Sequence, residues 1–145
     1  MATVTQTTIN SSIPGEIPDR LAARVIDALV LVVIGAMFGR QIGFGYDWLI
    51  ATAAIVLVYF VLADALLGAT LGKAAMRLQV TDQDGNKPSM KQAVIRECFM
   101  LLGAIPFAGP LLALAAWVWI VVTIRSSPLR RGIHDRLAGT RVVRR

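Results

Sequence analysis

The sequence predicts an all-α membrane protein with two full transmembrane helices, a broken helical hairpin or re-entrant pair of helices, and a short cytoplasmic β pair. Apolar residues make up 56% of the 145-residue chain, whereas soluble domains contain roughly 45 to 50%. Long uncharged segments alternate with short segments that hold most of the Lys and Arg residues. A domain of this size cannot bury so much apolar surface by itself, so we expect it to lie in lipid.

A first membrane-spanning helix is predicted at residues 21–39. Only Arg24 and Asp27 interrupt this apolar run. Nineteen residues at ~1.5 Å each give about 28 Å, close to the ~30 Å thickness of the hydrocarbon layer. The preceding residues 1–18 are polar, contain two prolines and lack the apolar segment of a secretory signal. They predict a disordered tail in front of a membrane domain at residues 19–145.

A second span is predicted at residues 48–68, and Asp64 is its only charged residue. Trp48 stands at its start, where aromatic side chains favour the membrane interface. The following residues 69–89 predict a cytoplasmic loop. Lys73 follows two glycines in this loop, but their spacing does not match a phosphate-binding loop. We therefore expect Lys73 to contact lipid headgroups.

Two short strands are predicted to pair on the cytoplasmic side. Residues 76–81 alternate apolar and polar side chains, and an Asp-Gly turn signal follows them. This is the period of a β-strand. The basic tail at residues 125–145 holds a second candidate strand at residues 140–143, which we expect to pair with residues 78–80.

Residues 90–105 and 110–124 predict a helical hairpin or re-entrant pair rather than one long helix. Ser89 and Gln92 match a capping box, in which each side chain satisfies a free backbone N–H group, and they mark the start of the first arm. Two prolines flank a Phe-Ala-Gly sequence in the middle of the uncharged run. Proline removes a helical hydrogen bond, so the turn is expected there.

The distribution of basic residues predicts that both ends of the chain are cytoplasmic. The chain holds 15 Lys and Arg residues. With an even number of crossings, 14 of them lie inside and Arg40 alone lies outside. With three crossings, seven lie inside and eight outside. Because cytoplasmic segments carry the excess of Lys and Arg, the even number is expected.

Charged residues near the cytoplasmic ends of the first two spans are the candidate functional residues. Arg20, Arg24 and Asp27 are spaced by four and three residues, so they share one face of the first helix. Asp64 lies at a similar depth in the second helix. Each charge inside a span costs roughly 2.5 to 3.5 kcal/mol on insertion scales, so each is expected to have a partner.

Two interpretations of these residues remain open. In the first, Asp27 and Asp64 are exchangeable carboxylates that bind a cation or a proton. In the second, each aspartate forms an internal ion pair that fixes helix packing. The expected pairs are Asp27 with Arg24 or Arg20, and Asp64 with Arg77 or Arg96.

The remaining residues predict no catalytic, metal or cofactor site. Cys98 is the single cysteine, so an intrachain disulfide or a thiolate metal cluster cannot form. His134 and Asp135 have no nucleophile beside them and predict an interfacial pair that bonds nearby backbone and arginine. Gly35 and Gly39 show the Gly-x-x-x-Gly spacing, which allows close helix packing within the chain or in a homodimer.

The basic character of the chain predicts a membrane partner. The formal net charge is +6 at pH 7. No aromatic residues interleave the arginine-rich tail, as they do in proteins that bind single-stranded nucleic acid. Anionic lipid headgroups, and no nucleic acid, are therefore the expected partners, and enzymatic activity is not expected.

Several short motifs, in this order, resemble the RDD family of small membrane proteins. The motifs are Arg20-Leu-Ala-Ala-Arg-Val-Ile-Asp27, Gly68-Ala-Thr-Leu-Gly-Lys73, Leu78-Gln-Val80 with Asp84-Gly85, Ala93-Val-Ile-Arg96 and Ile133-His-Asp-Arg-Leu-Ala-Gly-Thr140. The family is named for one arginine and two aspartates, which map to Arg20, Asp27 and Asp135. This mapping adds Asp135 to the candidate polar cluster. The resemblance implies a bacterial cytoplasmic membrane location and a role in transport, with cation–proton exchange in some members.

Two functions follow as hypotheses. One is transport of cations or small solutes by a homo-oligomer, because four short helices do not enclose a pathway. The other is a non-catalytic accessory or assembly subunit of a larger membrane complex. A water-accessible cavity shared by Asp27 and Asp64 favours transport, whereas carboxylates locked by internal partners favour the accessory subunit.

Overall fold

The computed structural model describes residues 13–145, and residues 1–12 of the predicted tail lie outside the described residues. The described chain is mostly helical. Within it, three helices are long and apolar enough to cross a membrane: Ile17–Ile42, Tyr46–Leu67 and Gly109–Ser126. A mostly helical chain is therefore confirmed, but the structure has three helices long enough to span a membrane where two full spans were predicted.

The first helix, α1, spans Ile17–Ile42 and extends beyond the predicted span at both ends. Pro18 stands in its first turn, where proline is tolerated because the first N–H groups of a helix need no intrahelical partner. Asp19 also lies in this turn, and Arg40 in the last turn. An acid in the first turn and a base in the last turn both interact favourably with the helix dipole.

The predicted disorder does not extend to residues 13–18. The backbone N–H of Gly15 donates to the carbonyl of Val142 at 3.0 Å, and the N–H of Arg144 donates to the carbonyl of Ile13 at 2.8 Å. Pairing with a strand edge satisfies these backbone groups in spite of the polar composition. The first described residues therefore pair with the last strand of the chain.

Helix α2, Tyr46–Leu62, ends in a π-helical turn at Ala63–Leu67. Gly68 then adopts a left-handed conformation with φ 74°, which glycine tolerates at a helix end. A short helix, α3, follows at Leu71–Ala75, and the side chain of its N-cap residue Thr70 accepts a hydrogen bond from the third N–H of the helix. The predicted loop at residues 69–89 therefore begins with a short helix, which packs against α1.

The predicted strand pair is confirmed. Strand β1, Leu78–Asp82, runs antiparallel to β2, Thr140–Arg144, with Val80 opposite Val142. These two valines are buried and pack with Ala23 of α1. Because side chains alternate between the two faces of a strand, the apolar ones share one face of the sheet and pack against the first helix.

The predicted hairpin has two unequal arms. Helix α4, Met90–Glu97, starts with the expected capping box of Ser89 and continues as a 3₁₀ helix at Cys98–Ala104. Helix α5 occupies Gly109–Ser126 and packs along the 3₁₀ segment. Since a 3₁₀ helix rises about 2.0 Å per residue, the first arm is longer than the same residues would be as an α-helix.

A final short helix, α6, spans Ile133–Ala138 and leads into β2. It packs against α4 and α5, so β1, β2, α3 and α6 gather at one end of the long helices, which we call the sheet end. Because residues 13–15 pair with β2, the described chain begins and ends there.

Candidate functional site

A group of charged side chains is buried at the sheet end. Asp27, Asp64, Glu97 and Asp135 are fully buried, and Arg96 is 2% exposed. Removing such charges from water carries a large desolvation penalty, which only close partners of opposite charge or strong donors offset. The arrangement of those partners therefore defines what the group can do.

Arg96 of α4 is the centre of this group. Its Nη1 contacts the carboxylate of Asp135, and its Nε lies 3.3 Å from Oδ2 of Asp64 and 3.2 Å from Oε1 of Glu97. Nη1 also donates to Oγ1 of Thr140 at 3.1 Å. One guanidinium thus joins acids from α2, α4 and α6, because its planar fork can donate in several directions at once.

Lys73 binds Asp64 and not lipid headgroups, so that prediction was wrong. Its Nζ lies 2.6 and 2.7 Å from the two carboxylate oxygens of Asp64, and the residue is 4% exposed. The reason is the fold of α3, which packs against α1 and brings the Lys73 side chain to Asp64. Burial lowers the pKa of Lys73, and the negative charge of Asp64 opposes that shift.

Asp64 therefore has two cationic partners where one was expected. Arg96 was predicted as one of two alternatives, and the structure places it there. Arg77, the other alternative, makes no ion pair with an acid among residues 13–145. It lies in the tight connection between α3 and β1 with φ 54°.

Asp135 connects the two ends of the chain. Its Oδ2 lies 3.1 Å from Nη1 of Arg20 and accepts a hydrogen bond from the backbone N–H of Gly132 at 3.1 Å. Burial disfavours the ionised form, but the charges of Arg96 and Arg20 and the hydrogen bond from Gly132 outweigh it and hold the pKa of Asp135 below its usual range. The predicted bonding of Asp135 to backbone and arginine agrees with these contacts.

Arg24 pairs with Glu97, which the sequence analysis did not include. Its Nη2 donates to both carboxylate oxygens at 3.0 and 2.9 Å. The guanidinium carbon also lies 4.2 Å from the ring centre of Phe60 and 5.4 Å from that of Trp117, close enough for cation–π attraction. Glu97 is the last charge before the long uncharged run, and that position was the signal for it.

Asp27 is separate from these ion pairs. Its carboxylate accepts from the hydroxyl of Tyr59 at 2.8 Å, the hydroxyl of Thr70 at 2.6 Å and the backbone N–H of Gly72 at 2.8 Å. The expected pairing with Arg24 or Arg20 is wrong, because three neutral donors from α2 and α3 occupy its lone pairs. Neutral donors therefore satisfy this buried carboxylate without a cation.

The structure thus brings five of the six predicted residues together and adds two more. We call this group the charged cluster: Arg20, Arg24, Asp64, Lys73, Arg96, Glu97 and Asp135. The cluster holds four cations and three acids, and it joins α1, α2, α3, α4 and α6. Its pairs fix the relative positions of these elements.

The glycines of the Gly-x-x-x-Gly motif pack within the chain. The carbonyl of Gly35 accepts from the indole N–H of Trp48 at 2.7 Å, and a Cβ at Gly35 would lie 3.3 Å from Cγ2 of Thr52. A Cβ at Gly39 would overlap the ring of Phe44. Both glycines therefore allow the start of α2 to approach α1 closely.

His134 lies inside the sheet end, although an interfacial position was expected. It is 8% exposed, its ring centre is 5.9 Å from that of Phe99, and its Nε2 lies 3.5 Å from Oδ1 of Asp135. Burial lowers the pKa of His134 to about 4, so the ring is neutral at pH 7. Among residues 13–145, no group of three or more His, Cys, Asp or Glu side chains could hold a metal ion.

The comparisons with known proteins agree with the resemblance seen in the motifs. The sequence model of the RDD family matches residues 14–139, which include all seven residues of the charged cluster. A comparison with curated proteins gave no match, and a comparison with solved structures gave none either. Because the family match covers most of the chain, the protein belongs to the RDD family.

Proposed function

We propose that this protein is a non-catalytic accessory or assembly subunit of a larger complex in the bacterial cytoplasmic membrane. The observation that carries the proposal is the internal pairing of the buried carboxylates. Asp64 is held by Lys73 and Arg96, and Asp27 by three neutral donors. Freeing a carboxylate from such partners leaves buried charges uncompensated, so these pairs suit a rigid structural unit.

The proposed topology places the sheet end in the cytoplasm. The first described residues pair with the last strand there, which supports an even number of crossings. In that arrangement, 14 of the 15 Lys and Arg residues belong to cytoplasmic segments or helix ends. This asymmetry supports a cytoplasmic location of the sheet end, because basic residues concentrate on the cytoplasmic side of membrane proteins.

Apolar side chains on the sheet end support a protein partner. Leu129 is 64% exposed and Leu137 is 69% exposed, and both follow the last turn of α5. In the proposed topology these side chains lie beyond the ends of the spans. Exposed apolar side chains in such positions are typical of contact sites for other proteins.

Affinity purification tests this proposal. The tagged protein, purified from native membranes in mild detergent, should bring down one foreign membrane protein in a fixed ratio. The Leu129→Ala/Leu137→Ala variant should lose at least 80% of that partner. Leu111→Ala, which removes a side chain that is 71% exposed on α5, is the matched control and should keep it. A homo-oligomer without a foreign protein would contradict the accessory role.

Cation–proton exchange by a homo-oligomer is the second candidate, and the π-helical turn at Asp64 favours it. This turn, Ala63–Leu67, places the carboxylate against Lys73 at 2.6 Å. Single π turns inside α-helices occur often at functional sites. Since burial lowers the pKa of Lys73, this amine is suited to release its proton when a cation binds Asp64.

Flux measurements in liposomes test the exchange mechanism. If Asp64 carries the cation, Asp64→Asn should reduce cation-driven proton flux at least tenfold, because the amide cannot replace the carboxylate charge. The control is Asp47→Asn, which alters an acid in the first turn of α2 and should leave the flux unchanged. Wild-type flux that persists in both Asp27→Asn and Asp64→Asn would exclude a carboxylate-based exchange.

A further inference from the structure

Three buried polar side-chain atoms have no hydrogen-bond partner in the part of the chain that the structure describes. They are Nη1 of Arg24, Oγ1 of Thr52 and Nδ1 of His134. Buried polar atoms are nearly always bonded in native proteins, so such exceptions need an explanation. All three atoms belong to residues that line two neighbouring cavities.

The first cavity is small and basic. It has a volume of about 40 Å³ and lies at the sheet end. Its polar lining consists of basic side chains: Arg20, Arg24, Lys73, Arg96 and His134. At roughly 10 to 15 Å³ for each water-sized group, the cavity accommodates about three or four atoms of oxygen size.

The second cavity is an apolar groove of about 490 Å³ between α1 and α2. Along α1 it extends from Arg24 to Ala36, a length of about 18 Å at ~1.5 Å per residue. Arg24, Thr52 and the indoles of Trp48 and Trp117 are its polar side chains, and the indole N–H of Trp48 is bonded to Gly35. Both the volume and the apolar lining are typical of sites for small apolar ligands.

The two cavities meet at Arg24 and Trp117, which line both of them. Arg24 uses Nη2 for its pair with Glu97, so Nη1 remains available without breaking that pair. An acceptor next to Nη1 would satisfy this unpaired buried donor.

We propose that the protein binds one long-chain fatty acid, with its carboxylate in the basic cavity and its alkyl chain in the apolar groove. Nη1 of Arg24 donates to the carboxylate, which lies in the cavity that Arg20, Lys73 and His134 also line. Size selects the ligand, because the basic cavity accommodates a carboxylate but not the glycerol phosphate of a phospholipid. This inference does not depend on the proposed function.

Tryptophan quenching tests the binding site. The probe is stearate that carries a nitroxide near either its carboxylate or its methyl end, added to the full-length protein in detergent. Trp117 lines the junction and Trp48 the groove, whereas Trp119 is 63% exposed and is replaced with Phe. Quenching should saturate with increasing probe. The probe with the nitroxide near its carboxylate should quench mainly Trp117, and the probe with the nitroxide near its methyl end should quench mainly Trp48. Separate Trp48→Phe and Trp117→Phe variants assign the quenching to each residue.

Competition and two matched variants decide the outcome. Palmitate should displace the probe, and hexadecanol, which lacks the charge, should be at least tenfold weaker. Ala28→Leu fills the groove and should weaken binding at least tenfold, while Ala54→Leu on the outer face of α2 should not. Arg24→Lys should bind more weakly than wild type if it folds. Non-saturable quenching, equal displacement by hexadecanol or by phosphatidylglycerol, or no effect of Ala28→Leu would each overturn the proposal.

Discussion

Arg96→Met is expected to prevent stable folding of the sheet end. The substitution keeps an apolar stem of similar length but removes the guanidinium that contacts Asp64, Glu97 and Asp135. Removing one member of a buried ion pair costs about 3 to 5 kcal/mol, because the other charge stays buried without compensation. Three acids lose a partner here. Since domains are typically stable by only about 5 to 15 kcal/mol, we expect little folded protein.

Thermal unfolding in detergent and the monodisperse yield from membranes measure this effect. Arg96→Lys should be intermediate, because one ammonium group cannot reproduce the forked contacts of guanidinium. The matched control is Arg125→Met in the last turn of α5, where the side chain is exposed. If Arg96→Met unfolded at the wild-type temperature, the charged cluster would not be what holds the sheet end together.

Gly72→Ala is expected to give the second largest loss of stability. A Cβ at Gly72 would overlap the carbonyl oxygen of Ala23 and would lie 2.9 Å from Cγ of Asp27. Both positions belong to the packed face of α1, so α3 must shift. Overpacking costs about 1 to 3 kcal/mol. A lost hydrogen bond to a buried carboxylate, here the N–H of Gly72 to Asp27, costs about 1 to 3 kcal/mol more.

The thermal midpoint in detergent, compared with that of Gly103→Ala, measures the steric part of this effect. The added Cβ of Gly103→Ala would lie 3.8 Å from Cβ of Ala113, which is an ordinary contact, so its midpoint should stay near that of the wild type. Equal midpoints for the two variants would mean that α1 and α3 are not tightly packed at Ala23. Equal midpoints would also mean that the packing of α3 is not what holds the N–H of Gly72 against Asp27.

The elements that could be predicted from the sequence are those with a local pattern. Residues 78–80 alternate apolar and polar side chains, and this period alone identifies a strand. The capping box at Ser89 and the break between the two hairpin arms could also be predicted, because each is determined by residues close together in the sequence. The predicted bounds of the helices were less accurate. Helix α1 includes charged residues at both ends, which hydropathy alone assigns to the segments outside the span.

The partners of the buried charges could not be predicted in the same way. Lys73 is nine residues from Asp64, and the packing of α3 against α1 brings the two together. Asp27 has a nearby arginine in the sequence, yet backbone and hydroxyl donors from another element bind it. Charge patterning indicates that a partner is needed but does not identify it, since long-range packing decides the geometry.

The contact between Arg20 and Asp135 joins residues 115 positions apart, and this separation imposes an order on biosynthesis. The ribosome releases the helix that contains Arg20 long before it has made Asp135 and β2. Until then, Arg20 and Asp64 lack the partners that later segments supply, Asp135 and Arg96. The ion pairs of the sheet end are therefore completed only after the segment that carries Asp135 has been translated.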